Sequence, residues 1–202
     1  MNNGIRYALC FVLIAIYTCY SSVEVYFSPQ DHIKTKLITR IRNEKTAIKA
    51  ALYLILDKEV VKELVKAHKR GVKVELIVDH GNLDSEWNKI PMLYDGGITV
   101  YVYTSNQGIL HDKFFIFERN QDNKPALWTG SFNITRSADK YNRENVVVVD
   151  DRDAIQHFSH EFDRLKKASA PYRASYIRSP FKGPSMVINN TMGKKLSESP
   201  RI

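Results

Sequence analysis

Residues 47–79 read AIKAALYLILDKEVVKELVKAHKRGVKVELIVD, and this stretch decides the fold. Ala47 to Leu56 is an apolar run of the length and composition of a buried strand. Asp57 follows, a side-chain acceptor for the free N–H groups of a helix start. Val60, Val61, Leu64, Val65 and His68 then recur at helical spacing and form one face. Lys69-Arg70-Gly71 ends that helix: the cations meet its negative end, and the glycine suits the left-handed residue that closes it. Val72 to Asp79 resumes as a strand.

The same alternation continues in both directions. Upstream, Val23 to Phe27 alternates as a first strand, and Ser28-Pro29-Gln30-Asp31 opens a helix carrying Ile33, Leu37, Ile38 and Ile41. Downstream, Glu86 to Tyr94 reads as a helix stopped by Gly96-Gly97, and Ile98 to Tyr103 as a strand. Lys113 to Phe117 is another strand, with Ala126 to Thr129 pairing back across the polar loop Arg119 to Lys124. Val146 to Asp150 is the last strand, and Asp153 caps a final helix whose core face is Ile155, Phe158, Phe162 and Leu165. Strands alternating with helices predict an α/β domain: a mixed β-sheet with helices packed on both faces. No tandem repeat is visible.

The chain has 202 residues, 44% hydrophobic and 26% charged, which suits one globular domain with a proper core. Thirty Lys and Arg against 22 Asp and Glu give a formal charge of +8. That balance favours a polyanionic partner, nucleic acid or an anionic membrane surface, although a modest positive charge also serves solubility. Cys10 and Cys19 are the only cysteines, so the body from residue 23 onward holds neither a disulfide nor a thiolate metal site.

Both cysteines flank or lie in an N-terminal targeting pattern. Arg6 precedes the uninterrupted apolar run Ala8 to Tyr17, and small and polar residues follow through Ser22. The run is shorter than the ~20 residues of a membrane-spanning helix. Residues 1–22 therefore read as a secretory signal peptide and the protein as secreted or periplasmic. The alternative is a retained anchor and a membrane-attached protein; a lipoprotein role for Cys19 fits less well. Residues 23–167 form the folded body. Residues 168–202, rich in Ser, Pro, Gly, Lys and Arg, read as a basic, flexible tail.

The chemistry concentrates between residues 111 and 145. His111 and Lys113 lie two apart at the start of a strand, so they project to the same side while Asp112 points away. An ammonium beside an imidazole can meet one phosphate, the first neutralising an oxygen and the second facing phosphorus. Gly130-Ser131-Phe132-Asn133 follows a strand and precedes a short helix over Thr135 to Lys140. Glycine there permits close backbone approach, and the Ser131 hydroxyl, the Asn133 amide and exposed N–H groups donate to an anion. Glu144, just before the valine run, can accept from one imidazole nitrogen and fix the tautomer. Taken singly, each feature is as well explained by a surface pair, a capped turn or a strand-edge acid. Asn133-Ile134-Thr135 also matches a glycosylation sequon, which reads as coincidence.

The ordered combination is more specific. His111-x-Lys113-x4-Glu118, then Gly130-Ser131-x-Asn133, then Glu144 resembles the phospholipase D superfamily with its His-Lys-Asp signature. The flanking words HDKFFIF, TGSFNITRSA and REN resemble its small bacterial endonuclease branch, and the likeness extends over residues 24 to 167. The resemblance implies that His111 is a nucleophile forming a phosphohistidine and that Lys113 and Asn133 hold phosphate oxygens. It also implies that Ser131, Gly130 and Glu118 support the site and that Glu144 orients a histidine. Glu118 departs from the family's aspartate by one methylene. One copy of a motif whose chemistry takes two histidines implies a homodimer. No metal and no cofactor are expected. Three functions fit: a sequence-nonspecific endonuclease acting on DNA and perhaps RNA, a phospholipase D acting on membrane lipids, and an inactive nucleic-acid-binding module. The first is preferred, on charge and flanking resemblance; retention of the whole residue set argues against the third.

Overall fold

The computed structural model describes residues 21–104 and 108–173. The apolar N-terminal run and the tail beyond Arg173 lie outside the described residues. Eight strands and six helices follow one another: β1 (Val23–Phe27), α1 (Ile33–Asn43), β2 (Ala47–Leu52), α2 (Lys58–Lys69), β3 (Lys73–Asp79), α3 (Gly81–Asp84), α4 (Ile90–Asp95), β4 (Thr99–Tyr103), β5 (Lys113–Phe117), β6 (Ala126–Gly130), α5 (Arg136–Lys140), β7 (Asn145–Val149), α6 (Arg152–Lys167) and β8 (Ser169–Pro171).

All eight strands form one mixed sheet in the order β1-β7-β6-β5-β2-β3-β4-β8. The crossovers through α2 and through α3–α4 make β2, β3 and β4 parallel. The remaining pairings are antiparallel. The larger core buries α1 (Ile33, Leu37, Ile41), α2 (Val60, Leu64, Ala67) and α4 (Ile90, Leu93) against Ile48, Leu76, Phe115, Phe117 and Trp128. The smaller core, on the other face, packs Phe162 and Leu165 of α6 against Ala51, Ile77, Phe114 and Ile116. Helices therefore cover both faces of an α/β domain, as the alternation of elements predicts.

The decisive stretch folds as read, with one shortening. Asp57 accepts from the backbone N–H groups of Glu59 and Val60 at 2.9 and 3.1 Å, and Gly71 takes the left-handed conformation at φ 97°. But β2 stops at Leu52. Leu54, Leu56 and Asp57 turn their backbones to Ile134, whose N–H and carbonyl they share at 2.8–3.1 Å. Three other boundaries differ. The segment Glu86 to Tyr94 is not one helix: residues 86–89 form a turn and its end, and α4 begins only at Ile90, whose N–H is capped by Asn88 Oδ1 at 2.8 Å. The long C-terminal helix is capped by Asp151, not Asp153, through Ala154 N–H at 2.8 Å. Val146 to Asp150 does not hold the last strand, because β8 adds antiparallel to β4 and buries Tyr172 to 3% exposure. The folded body therefore continues past Lys167.

Candidate active site

The sheet topology brings one set of strand ends together. Leu52 at the carboxyl end of β2 pairs with Lys113 at the start of β5, and Phe114 pairs with Thr129 near the end of β6. Gly130 pairs with Val146, and Phe27 with Asn145. The carboxyl ends of β2, β3, β4 and β6 and the starts of β5 and β7 thus share one edge, the usual location for ligands on open α/β sheets.

His111 is exposed at this edge, and Lys113 beside it is only 8% exposed. The Lys113 ammonium lies 3.2 Å from His111 Nδ1 and also donates to the His111 carbonyl. Burial pulls the Lys113 pKa below the ordinary lysine value, while the charges of Asp112 and Glu144 oppose that shift. Asp112 faces elsewhere, as the alternation predicts: burial and then Glu161 of α6 push its carboxyl up. Against His111 lies Tyr53, with ring centroids 4.6 Å apart and planes tilted by 49°. Lys113 Nζ sits 5.2 Å from the centroid of the same tyrosine ring.

Ser131 and Glu144 meet on the neighbouring strands. Ser131 Oγ donates to Glu144 Oε2 at 2.5 Å and accepts from Asn145 N–H at 3.1 Å. Asn142 Nδ2 donates to Glu144 Oε1 at 2.9 Å, and the Ser28 hydroxyl accepts from Glu144 N–H at 3.1 Å. Gly130 lies so close to β7 that a Cβ would fall 2.2 Å from the Asn145 carbonyl oxygen. Asn133 is half-buried, and its Oδ1 has no protein partner. A buried carboxamide oxygen of that kind is normally satisfied by water or ligand.

One expected placement needs correction. Glu118 follows β5 at the end opposite Lys113, about 16 Å away along an extended strand. It is exposed there, so it does not stand among the phosphate-binding groups. The buried carboxylate at that end is Glu44: its Oε1 accepts from Thr46, Ala47 and Arg119 N–H groups, and its Oε2 from Asn120 Nδ2. Within the chain the Glu144 carboxylate is engaged by Ser131 and Asn142.

Three residues outside the motif hold the site. Asn82, fully buried, accepts from Ile55 N–H at 2.8 Å and donates to the Tyr53 and Asp79 carbonyls at 2.6 and 3.0 Å. Asp79 accepts from Gly81 N–H at 2.8 Å and Leu110 N–H at 2.9 Å. Tyr53 N–H donates to the Asp112 carbonyl at 2.8 Å. The segments leaving β2 and β3 are thereby tied to the segment leading into His111. The signal in sequence was position, since Tyr53, Asp79 and Asn82 all lie at or just past the carboxyl ends of adjacent parallel strands. Among the described residues, no three His, Cys, Asp or Glu side chains form a metal-ligand group.

Comparison with known proteins agrees with this geometry. The family model for the cardiolipin synthase, phospholipase D-like domain matches residues 37–166. Phospholipase D of Rickettsia prowazekii (strain Madrid E) is 32% identical over 149 residues, which are 74% of this chain and 70% of the relative. Mitochondrial cardiolipin hydrolase of Mus musculus is 27% identical over 74% of this chain and 65% of its own. Among solved structures, Nuc of Salmonella typhimurium, a phospholipase D family member, is similar with a TM-score of 0.69 and 28% identity, covering 77% of this chain and 100% of Nuc. NucT of Helicobacter pylori shares the fold at a TM-score of 0.67 and 18% identity. The chain belongs to the phospholipase D-like superfamily and is a phosphodiester hydrolase of that family.

Proposed function

We propose that the protein is a metal-independent, sequence-nonspecific endonuclease that cleaves DNA, with RNA as a further candidate substrate, through a phosphohistidine at His111 in a homodimeric site. The observation that carries this reading is an exposed imidazole beside a buried ammonium at an open sheet edge. A long polyanion can lie across such an edge without a pocket to enclose it, and the formal charge of +8 favours its approach.

Lys113 and the Nδ2 amide of Asn133 donate to the non-bridging phosphate oxygens, while Ser131, whose one O–H goes to Glu144, supports the site. Attack by His111 Nε2 requires the ring proton on Nδ1, where the Lys113 ammonium now sits. Phosphate binding draws that ammonium onto an anionic oxygen and frees Nδ1 to carry the proton. The Nε2 lone pair then bonds to phosphorus, and the bond to the leaving oxygen breaks. The partner subunit's copy of the same histidine protonates that oxygen; now neutral, it takes a proton from water, which attacks phosphorus as the bond to Nε2 breaks and releases the imidazole. Glu144, held by Ser131 and Asn142, supplies negative charge near Lys113 and keeps β6 and β7 aligned.

One observation favours a second reading, phospholipid hydrolysis. Phe27, Trp87, Ile109 and Tyr141 are all exposed and all belong to segments at this same edge, at 54, 63, 48 and 70%. Such side chains can also enter a lipid interface.

The test offers plasmid DNA, single-stranded DNA, RNA and phosphatidylcholine vesicles to the wild-type chain and to His111→Ala, with excess chelator throughout. Nucleic-acid cleavage by the wild type alone is expected. Lipid turnover without nucleic-acid cleavage would replace the first reading by the second, and equal activity of both proteins would overturn the histidine mechanism.

A further inference from the structure

We infer that Tyr53 is a positioning residue of the reaction, whose aromatic face stabilises positive charge on His111 as the phosphohistidine forms. The inference rests on the mechanism proposed above. It starts from a contact that no part of the His-Lys motif requires: one ring lies beside both His111 and Lys113. The Tyr53 and His111 centroids are 4.6 Å apart, and Lys113 Nζ is 5.2 Å from the Tyr53 centroid.

Tyr53 is held from both sides. Its N–H donates to the Asp112 carbonyl at 2.8 Å, and its carbonyl accepts from Asn82 Nδ2 at 2.6 Å. Asn82 is fully buried and bonds Ile55 N–H and the Asp79 carbonyl as well. The backbone carrying the ring is therefore fixed relative to the segment that carries His111, whose preceding residue Leu110 is bound by buried Asp79. His111 is exposed and would otherwise sample several rotamers. The tyrosine ring leaves it a wall to lie against.

The chemical consequence follows from charge. When the His111 nitrogen bonds to phosphorus while the other ring nitrogen keeps its proton, the imidazole becomes cationic. The face of an aromatic ring attracts a cation through its quadrupole. Tyr53 thus favours the covalent step over the resting state, which lowers the barrier. The same ring serves the Lys113 ammonium, 5.2 Å from its centroid, and so helps keep that phosphate-binding group charged.

The experiment replaces Tyr53 in the full chain by Phe, by Leu, and by 3,4,5-trifluorophenylalanine, a ring of nearly the same shape with its face drained of electron density. Each is assayed for kcat and KM on an activated phosphodiester, with His111→Ala as reference. Tyr53→Phe is expected to stay within about twofold of wild type, and the Leu and trifluoro variants to lose about three- to thirtyfold in kcat with little change in KM. The isosteric ring keeps the test valid should Tyr53→Leu fold poorly. A trifluoro variant as fast as Tyr53→Phe would reduce Tyr53 to a steric wall and overturn the inference, while an inactive His111→Ala in the same assay would leave the nucleophile standing. If His111→Ala itself turns over substrate, the mechanism fails first and the inference with it.

Discussion

Gly130→Ala tests how the two halves of the site are joined. A Cβ at residue 130 would lie 2.2 Å from the Asn145 carbonyl oxygen and 2.9 Å from both Asn145 C and Val146 Cα. The first contact is roughly 1 Å or more inside a normal van der Waals separation. All three atoms are backbone, so no rotamer change relieves the clash, and β6 must part from β7 at the Gly130–Val146 pair. The Ser131 N–H bond to the Asn145 carbonyl at 3.0 Å goes with it. Overpacking costs about 1–3 kcal/mol and the lost hydrogen bond about 1 kcal/mol, together roughly 2–4 kcal/mol. For a body of this size that is a fall in Tm of roughly 5–15 °C. The displacement also separates Ser131 and Glu144 from Lys113 by something near 1 Å, and such a shift can reduce turnover by about 100-fold. Urea unfolding and phosphodiesterase rate are measured on the same preparation, with Gly71→Ala as control. Gly71 sits at the opposite edge with no atom within 4 Å of a Cβ but with φ at +97°, so that variant loses stability through strain and keeps its turnover. A Gly130→Ala protein within about 0.5 kcal/mol of wild type, or fully active, would refute the reasoning.

Further outcomes follow from single groups. Because burial lowers the Lys113 pKa, the alkaline limb of kcat/KM is expected on the acid side of an ordinary lysine's titration, and Lys113→Arg, which stays charged, should lose that limb along with most of its rate. A limb at or above the ordinary lysine value would count against a catalytic ammonium here. Asp79→Ala leaves the Leu110 and Gly81 N–H groups unpaired, at about 2–4 kcal/mol in unfolding free energy. Its amide exchange should accelerate at Leu110 first; unchanged protection there would remove Asp79 from the support of His111. The Glu63 carboxyl is held at about 2 by the Arg42 guanidinium and then the Lys66 ammonium, with only 5% of its side chain exposed. A depressed carboxyl contributes stability that is present above its ordinary value of 4.5 and is lost as pH falls toward about 2. Both cations are more than half exposed, so Glu63→Gln should cost only about 1–2 kcal/mol at neutral pH, with the gap to wild type closing over that acid range.

Much of the fold was legible because its signals are local. The helical spacing of Val60, Val61 and Leu64, the Asp57 cap and the Gly71 stop sit within one short segment, and each acts on its own neighbours. What was misread depends on distant partners. The residues Tyr53 to Leu56 look like strand by composition, but Leu54 and Leu56 bond Ile134, Tyr53 N–H bonds the Asp112 carbonyl and Ile55 N–H bonds Asn82 Oδ1, all far along the chain. Ser169 to Pro171 looks like tail by composition and becomes strand because the edge of β4 is open to it. Periodicity reports which face a residue buries, and it is silent on where an apolar strand leaves one neighbour for another.

The site divides in the same way. His111, Lys113, Ser131 and Asn133 were picked out by their types and spacing, and the sheet pairing sets the strand ends beside them at one edge. Their frame was not. Asp79 and Asn82 are ordinary residues for a turn, and only the parallel pairing of β2 with β3 sets them beneath Tyr53 and Leu110. Glu118 shows the opposite error, a residue credited with site chemistry because of its place in a pattern. A carboxylate five residues beyond Lys113 on an extended strand cannot reach the same phosphate; it stands instead at the turn leaving β5. In this chain that turn is already held by Glu44, which accepts from Thr46, Ala47 and Arg119 and from Asn120 Nδ2. Glu118→Ala should therefore leave turnover near wild type, whereas Glu44→Ala should loosen the Arg119–Asn120 turn at a cost of several kcal/mol, roughly 3–5 given the buried donors it would strand. A large loss of kcat in Glu118→Ala with unchanged stability would return that carboxylate to the site and require a route from the far end of β5 that the strand geometry does not provide.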